Sequence, residues 1–305
     1  MSKIEVKKDW QRFGKKPVFI ALIFSVIFLF WTVFFVGFRN DHLFILLASL
    51  IAWFAAPVSR KIYADFSIFI LYWIIYDSMR VYPNYLFNPV HIQQPYDIEK
   101  SLFGVSFGGN ILTPNEYFAI FHSKFLDLLS GIFYLNWVPL PLFFAFYFYF
   151  KGYKQLFRDF SFVFVFVNII GFVFYYIYPA AAPWYVALHG FELIPGTMGN
   201  SAEFYRFDAL VGIPIFASLY EKNANVFAAI PSLHSAYPVI LFYYGSKLKR
   251  PWLNALFVFF MLGIWFSAVY SGHHYIIDVI LGALCAILGI VIFEVASRAL
   301  IKKLV

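Results

Sequence analysis

The chain has 305 residues, of which 62% are hydrophobic and only 13% charged, with 42 Phe and 22 Tyr. Soluble domains average about 45–50% apolar and about 25% charged, so this composition excludes a soluble domain and marks an integral membrane protein. The formal charge of +7 is spread among short loops rather than gathered into a nucleic-acid-binding face, and the single cysteine, Cys285, excludes a disulfide framework or a thiolate metal site.

Residues 1–16 carry Lys3, Lys7, Lys8, Arg12, Lys15 and Lys16, an interfacial basic segment. Eight apolar segments follow, at about 17–38, 43–57, 62–82, 125–150, 159–178, 231–246, 252–270 and 274–297. A span needs about 20 residues, so the second is short. With the N-terminus inside, the inner loops collect Arg60, Lys61, Lys151, Lys154, Arg158, Lys247, Lys249 and Arg250, and the tail adds Arg298, Lys302 and Lys303. Only Arg39, Arg80, Lys100, Lys124, Arg206 and Lys222 fall outside. The positive-inside rule favours this arrangement, with both termini cytoplasmic. The expected fold is an all-α polytopic membrane protein.

All seven histidines and both long hydrophilic segments, 83–124 and 179–230, then fall on the outer face. The first reads as helices lying on the surface. The second, with Trp184, Tyr185, Phe204, Tyr205, Arg206 and Asp208, reads as an ordered lid, since loops this long tend to be functional or disordered. An outward site in a bacterium would face the periplasm, and no Gly-rich phosphate loop is present.

Two stretches carry chemistry. In Ser271-Gly272-His273-His274-Tyr275-Ile276-Ile277-Asp278, His274 and Asp278 are four apart and would share a helix face. A carboxylate on one imidazole nitrogen fixes the tautomer and leaves the other nitrogen as nucleophile or base. In Ala229-Ile230-Pro231-Ser232-Leu233-His234, Pro231 would open a helix whose amides, with the Ser232 hydroxyl, bind an anion. His234 could then protonate a leaving oxygen while His274 attacks phosphorus from the opposite side. The alternatives are interfacial anchoring of the histidines, a capping ion pair at His274/Asp278, and metal binding by His234, His273 and His274.

Pro231-Ser232-Leu233-His234 followed by Ser267 and His274-x-x-x-Asp278 resembles the second and third motifs of the type 2 phosphatidic acid phosphatase superfamily. The resemblance implies a six-helix membrane core preceded here by two accessory helices, so that 1–61 is an N-terminal region and 62–305 the catalytic domain. It implies metal-independent phosphotransfer without a cofactor, with His274 as nucleophile, Asp278 as its orienting acid and His234 as general acid/base.

Three departures from the phosphatases stand out: Ala268 where they carry Arg, Leu233 where they carry Gly, and no basic first motif. These, with Tyr178–Tyr185, Arg206-Phe207-Asp208 and Tyr76–Arg80, resemble the inositol phosphorylceramide synthase branch. That branch implies phosphatidylinositol and ceramide as lipid partners. A lipid phosphatase, a synthase using phosphoethanolamine or phosphocholine, and a transporter or scramblase are the other readings. With the basic motif missing, Arg80 and Arg206 are expected on the substrate phosphate, with Asp77 and Asp208 holding them or contacting inositol hydroxyls. His273 is expected at the head group or merely at the interface.

Overall fold

In the computed structural model, residues 10–221 and 225–304 are described, so Lys3, Lys7 and Lys8 of the basic segment, and Lys222, lie outside the described residues. The chain separates into two compact units, residues 1–82 and 83–305. The third helix groups with the first two in the first of these units.

The first unit holds α1 (Lys15–Trp31), which runs on as a π turn to Val36, then α2 (Asn40–Ala55) and α3 (Pro57–Ser78). Gly37, at φ 85°, ends the π turn in a backbone region that favours glycine. Arg60 ties one end of the unit together, donating from Nε to the Trp53 carbonyl and from Nη2 to the Arg12 carbonyl.

The second unit begins with α4 (Gln93–Phe103). A hairpin follows, β1 (Val105–Phe107) paired antiparallel with β2 (Asn110–Leu112). The surface segment is therefore not all helix. Gly108 and Gly109, both at positive φ, supply the two-residue turn that a twisted hairpin requires. Next come α5 (Pro114–Ile120), α6 (Lys124–Leu135) and α7 (Pro139–Phe150). The run expected as one span over 125–150 is thus two helices meeting at 43°. Pro139 lacks the amide that would continue α6 and disfavours helix at the residue before it.

Then come α8 (Lys154–Ile177), α9 (Pro183–His189), α10 (Tyr205–Val211), α11 (Ile215–Tyr220), α12 (Leu233–Ser246), α13 (Pro251–Tyr270) and α14 (Ile276–Leu304). α12 is the centre of the unit, packing on α13, α14 and α8. Gly282 permits the closest approach: a Cβ there would run into the Ser232 carbonyl and the Ser235 hydroxyl. Ser235 Oγ donates across to the Val279 carbonyl at 2.9 Å.

Among the described residues, four helices are long and apolar enough to cross a membrane, or five if the bent α6–α7 pair is one span. The protein is an integral membrane protein of mainly helical fold. α2 and α12 are too short to count alone, and α3 carries Arg60, Lys61, Asp65 and Asp77.

Candidate active site

The end of α13 sets the geometry. Gly272, at φ 72°, takes the left-handed turn after the helix. The Gly272 amide returns to the Val269 carbonyl, and the His273 amide to the Ala268 carbonyl at 3.1 Å. This pair of bonds is a Schellman ending, in which glycine reverses the chain and satisfies the last carbonyls. The His274 amide joins the same Ala268 carbonyl at 3.0 Å. Asn115, at the start of α5, clamps the loop by donating to the Val269 carbonyl at 2.8 Å and the His274 carbonyl at 2.9 Å.

The two motif histidines precede α14 rather than lying on it. His274 and Asp278 therefore meet without sharing a helix face: Nδ1 lies 3.4 Å from Asp278 Oδ2. Asp278 sits in the first turn of α14, and Oδ2 accepts from the Tyr275 amide at 2.9 Å, the returning half of a capping box. The Ser232 amide donates to the Asp278 carbonyl at 3.0 Å, which fixes the start of α12 to α14. Through that link, His234 Nδ1 comes to 3.0 Å from His274 Nε2. The His234 ring packs on Tyr134 at 5.0 Å and edge-on to Trp137 at 4.6 Å. The arrangement gives an imidazole with a carboxylate behind it and a second imidazole in front.

Ser232 is the N-cap of α12, with its hydroxyl facing the Ser235 amide at 3.4 Å. Pro231, expected in the first helical turn, lies before that cap. His273 is buried. Its ring stacks on Tyr220 at 4.1 Å, and Nε2 lies 3.0 Å from the Ser201 carbonyl. Burial and the neighbouring His274 push its pKa down to about 3, against the opposing pull of the Ser201 carbonyl. Neutral His273 thus clasps the 179–230 segment to the loop. Two more bonds join them, Trp184 N to the Gly272 carbonyl and Glu203 N to the Ser271 carbonyl.

Arg206 is 7% exposed. As ion pairs, Nε lies 3.2 Å from Asp127 Oδ1 and Nη1 3.4 Å from Glu203 Oε2, while neither Nε nor Nη2 makes a hydrogen bond. The guanidinium stacks over the Tyr270 ring at 5.4 Å, and Tyr270 donates to Asp127 at 2.7 Å. Asp208 does not hold Arg206 as expected. Its two oxygens accept from the Phe216 and Ala217 amides at 3.0 and 2.9 Å and cap α11.

Arg80 and Asp77 belong to the first unit. Asp77 is buried and takes Arg39 Nη2 at 2.6 Å, His42 Nε2 at 2.9 Å and Arg80 Nε at 3.3 Å. His42 Nδ1 accepts from the Arg39 amide, so Nε2 carries the proton toward Asp77. Asp41, His42 and Asp77 place one ligand atom each within 4.8 Å of one another, a spacing that could hold a cation. They fit a cation poorly, because both His42 nitrogens are engaged and the Arg39 guanidinium bridges the two carboxylates.

Sequence reasoning missed Asp127, which lies against Arg206, and Asn115, which clamps the His274 loop. An aspartate near the end of an apolar run is a signal by default, and Asp127 carries it. Between α5, α13 and α14 an apolar cleft of about 510 Å³ opens, lined in part by Phe118, Val269, Ile276 and Val279.

Residues 111–292 match the model of the PAP2 superfamily, more than half of the chain. The chain belongs to this superfamily. It is 47% identical over 282 residues, 92% of each chain, to the phosphoinositol dihydroceramide synthase of Bacteroides thetaiotaomicron. It is 28% identical to the inositol phosphorylceramide synthase of Candida albicans over 61% of this chain and 36% of that protein. To the inositol phosphorylceramide synthase catalytic subunit of Saccharomyces cerevisiae it is 31% identical, over 42% of this chain and 31% of that subunit. No solved structure matches the chain.

Proposed function

We propose that this protein is a phosphotransferase that moves phosphoinositol from phosphatidylinositol to ceramide or dihydroceramide and releases diacylglycerol. The observation that carries the chemistry is the 3.0 Å approach of His234 Nδ1 to His274 Nε2, with Asp278 behind His274. The head group and acceptor follow from the name of the relative that is 47% identical over 92% of the chain.

In the first half-reaction His274 Nε2 forms a bond to phosphorus and the phosphorus–oxygen bond to diacylglycerol breaks, with the leaving oxygen taking a proton from His234. Asp278 stabilises the positive charge on His274. In the second, the primary hydroxyl of ceramide gives its proton to His234 and its oxygen bonds to phosphorus, as the nitrogen–phosphorus bond breaks. The chemistry needs no metal, because histidine supplies the nucleophile and the proton carrier.

Arg206 is assigned to the phosphate, since its buried Nη2 has a donor to give. Ser232 and Asp208 contribute through the elements they hold, the starts of α12 and α11. Water would divert the phosphohistidine to hydrolysis, so the packed aromatics around His273 and His234 favour transfer over a phosphatase. Ala268, fully buried in an aromatic cluster with Tyr134, Phe204 and Phe216, leaves no place there for the phosphatase arginine. The catalytic domain is 62–305 in an eight-span chain, with both termini cytoplasmic and the site facing the periplasm of a bacterial inner membrane.

Purified protein given labelled phosphatidylinositol with and without ceramide tests the reading. Ceramide-dependent phosphoinositol-ceramide supports it. Free inositol phosphate alone supports hydrolysis, and phosphoethanolamine or phosphocholine transfer would assign another head group.

A further inference from the structure

Glu99 stands on α4, far in sequence from both motifs, yet it is fully buried. Its Oε1 accepts from the Ile276 amide at 2.9 Å and its Oε2 from the Ile277 amide at 3.1 Å. These are the first two residues of α14, whose amides have no partner within the helix. The next amide back, of Tyr275, goes to Asp278 Oδ2 at 2.9 Å. Two carboxylates therefore hold three successive amides of the turn that joins His274 to Asp278.

Such a carboxylate is costly to bury. Burial pushes the Glu99 carboxyl up to about 7, against the two amides, and the Asp278 charge adds to the rise. A cap serving only helix stability is common in Ser, Thr, Asp or Asn beside the helix itself. Here the carboxylate is brought from another element to the two residues between His274 and Asp278.

We propose that Glu99 is a positioning residue for the phosphoryl transfer. By holding the Ile276 and Ile277 amides it fixes where the Asp278 carboxylate stands relative to His274 Nδ1. Its partial negative charge at this end of α14 also offsets the positive helix terminus, which would otherwise compete with His274 for the Asp278 carboxylate. Glu99 touches no reacting atom.

The proposal rests on His274 being the nucleophile, and two measurements separate the claims. The first is steady-state kinetics on the full-length protein in detergent micelles with phosphatidylinositol and ceramide. Glu99→Gln keeps the shape and one acceptor, and should lower kcat about 10-fold. Glu99→Ala should lower it about 100-fold, the loss expected for a misplacement of about 1 Å, with KM for both lipids unchanged. If Glu99→Ala does not fold, Glu99→Gln decides.

The second is the rate at which diethyl pyrocarbonate modifies His274, read by mass spectrometry on the protein without lipid. Loss of the Asp278 contact makes His274 a poorer nucleophile, so Glu99→Gln should be modified several-fold more slowly than wild type. A merely structural role would loosen the loop and speed modification. Wild-type kcat in Glu99→Gln, or faster modification, overturns the proposal. A wild-type protein that makes no ceramide-dependent product defeats the phosphotransfer reading instead, and the modification rates still decide Glu99.

Discussion

His234 Nδ1 and His274 Nε2 are 3.0 Å apart, so one ring donates a proton to the other. With Asp278 Oδ2 3.4 Å from His274 Nδ1, the carboxylate favours a proton on that nitrogen, which leaves Nε2 to accept from a proton on His234 Nδ1. The nucleophile is thereby masked by its own acid. In-line transfer places phosphorus between an attacking and a leaving group, so the two rings must part when a phosphodiester enters.

This pairing predicts a division of labour between the two rings. His274→Ala should abolish all turnover. His234→Ala should lose about 10²–10⁴-fold on phosphatidylinositol, the usual worth of general acid–base catalysis. An inositol phosphodiester with a nitrophenol leaving group needs no acid, so His234→Ala should still give a burst of nitrophenolate and accumulate an acid-labile phosphohistidine. A folded His234→Ala protein that gives no burst would remove His234 from the acid role.

The Arg206–Asp127 pair gives a second prediction. Asp127 aims the guanidinium by its contact with Nε at 3.2 Å, leaving Nη2 for an anion. Hydrogen bonds to charged groups are worth about 1.5–3 kcal/mol, so Arg206→Gln should cost about 10–150-fold in kcat/KM. Asp127→Asn keeps the shape but not the charge and should fall between wild type and Arg206→Gln. Unchanged kcat/KM in Arg206→Gln would take the arginine off the phosphate.

What the sequence shows and hides follows from distance along the chain. His234, His274 and Asp278 stand in two short motifs, and Gly272 announces the end of α13 by itself. Gly108-Gly109 and Pro139 are equally plain signs of a hairpin and a helix break, but they lie inside long surface or apolar stretches whose composition alone fits continuous helix. Glu99 and Asp127 could not be placed, because their partners lie 177 and 143 residues away. Arg206 is legible as a candidate phosphate ligand, whereas Asp208, its near neighbour in sequence, turns to the Phe216 and Ala217 amides instead of holding it.

The His273 clasp predicts a pH effect. Its folded pKa of about 3 lies below the 6.5 of the free side chain, so the folded state binds fewer protons than the unfolded between those values. Stability from this site is full above about 6.5 and is lost as pH falls toward 3. His273→Gln keeps a donor for the Ser201 carbonyl but does not titrate. The thermal midpoint of wild type minus that of His273→Gln, measured in detergent, should therefore shrink steadily from pH 7 to pH 5. A difference independent of pH would mean that His273 is protonated or solvated in the folded protein.

The last prediction concerns the helix crossing that brings the two motifs together. A Cβ at Gly282 would meet the Ser232 carbonyl and the Ser235 hydroxyl, and Ser232 is backbone that cannot swing aside. Gly282→Ala must therefore push the start of α12 away from α14, stretching the bond from the Ser232 amide to the Asp278 carbonyl. Overpacking of this kind costs about 1–3 kcal/mol. The displacement also carries His234 away from His274, so activity should fall more than stability does. At a temperature where Gly282→Ala is fully folded, turnover should drop at least as far as about 100-fold, the usual effect of an ångström's misplacement. Gly289→Ala, lower on the same helix, would press on the Val167 side chain rather than on backbone. It should lower the thermal midpoint and leave the folded enzyme's turnover near wild type. Equal loss of turnover in both variants would show that the α12–α14 crossing at Gly282 does not set the distance between the histidines.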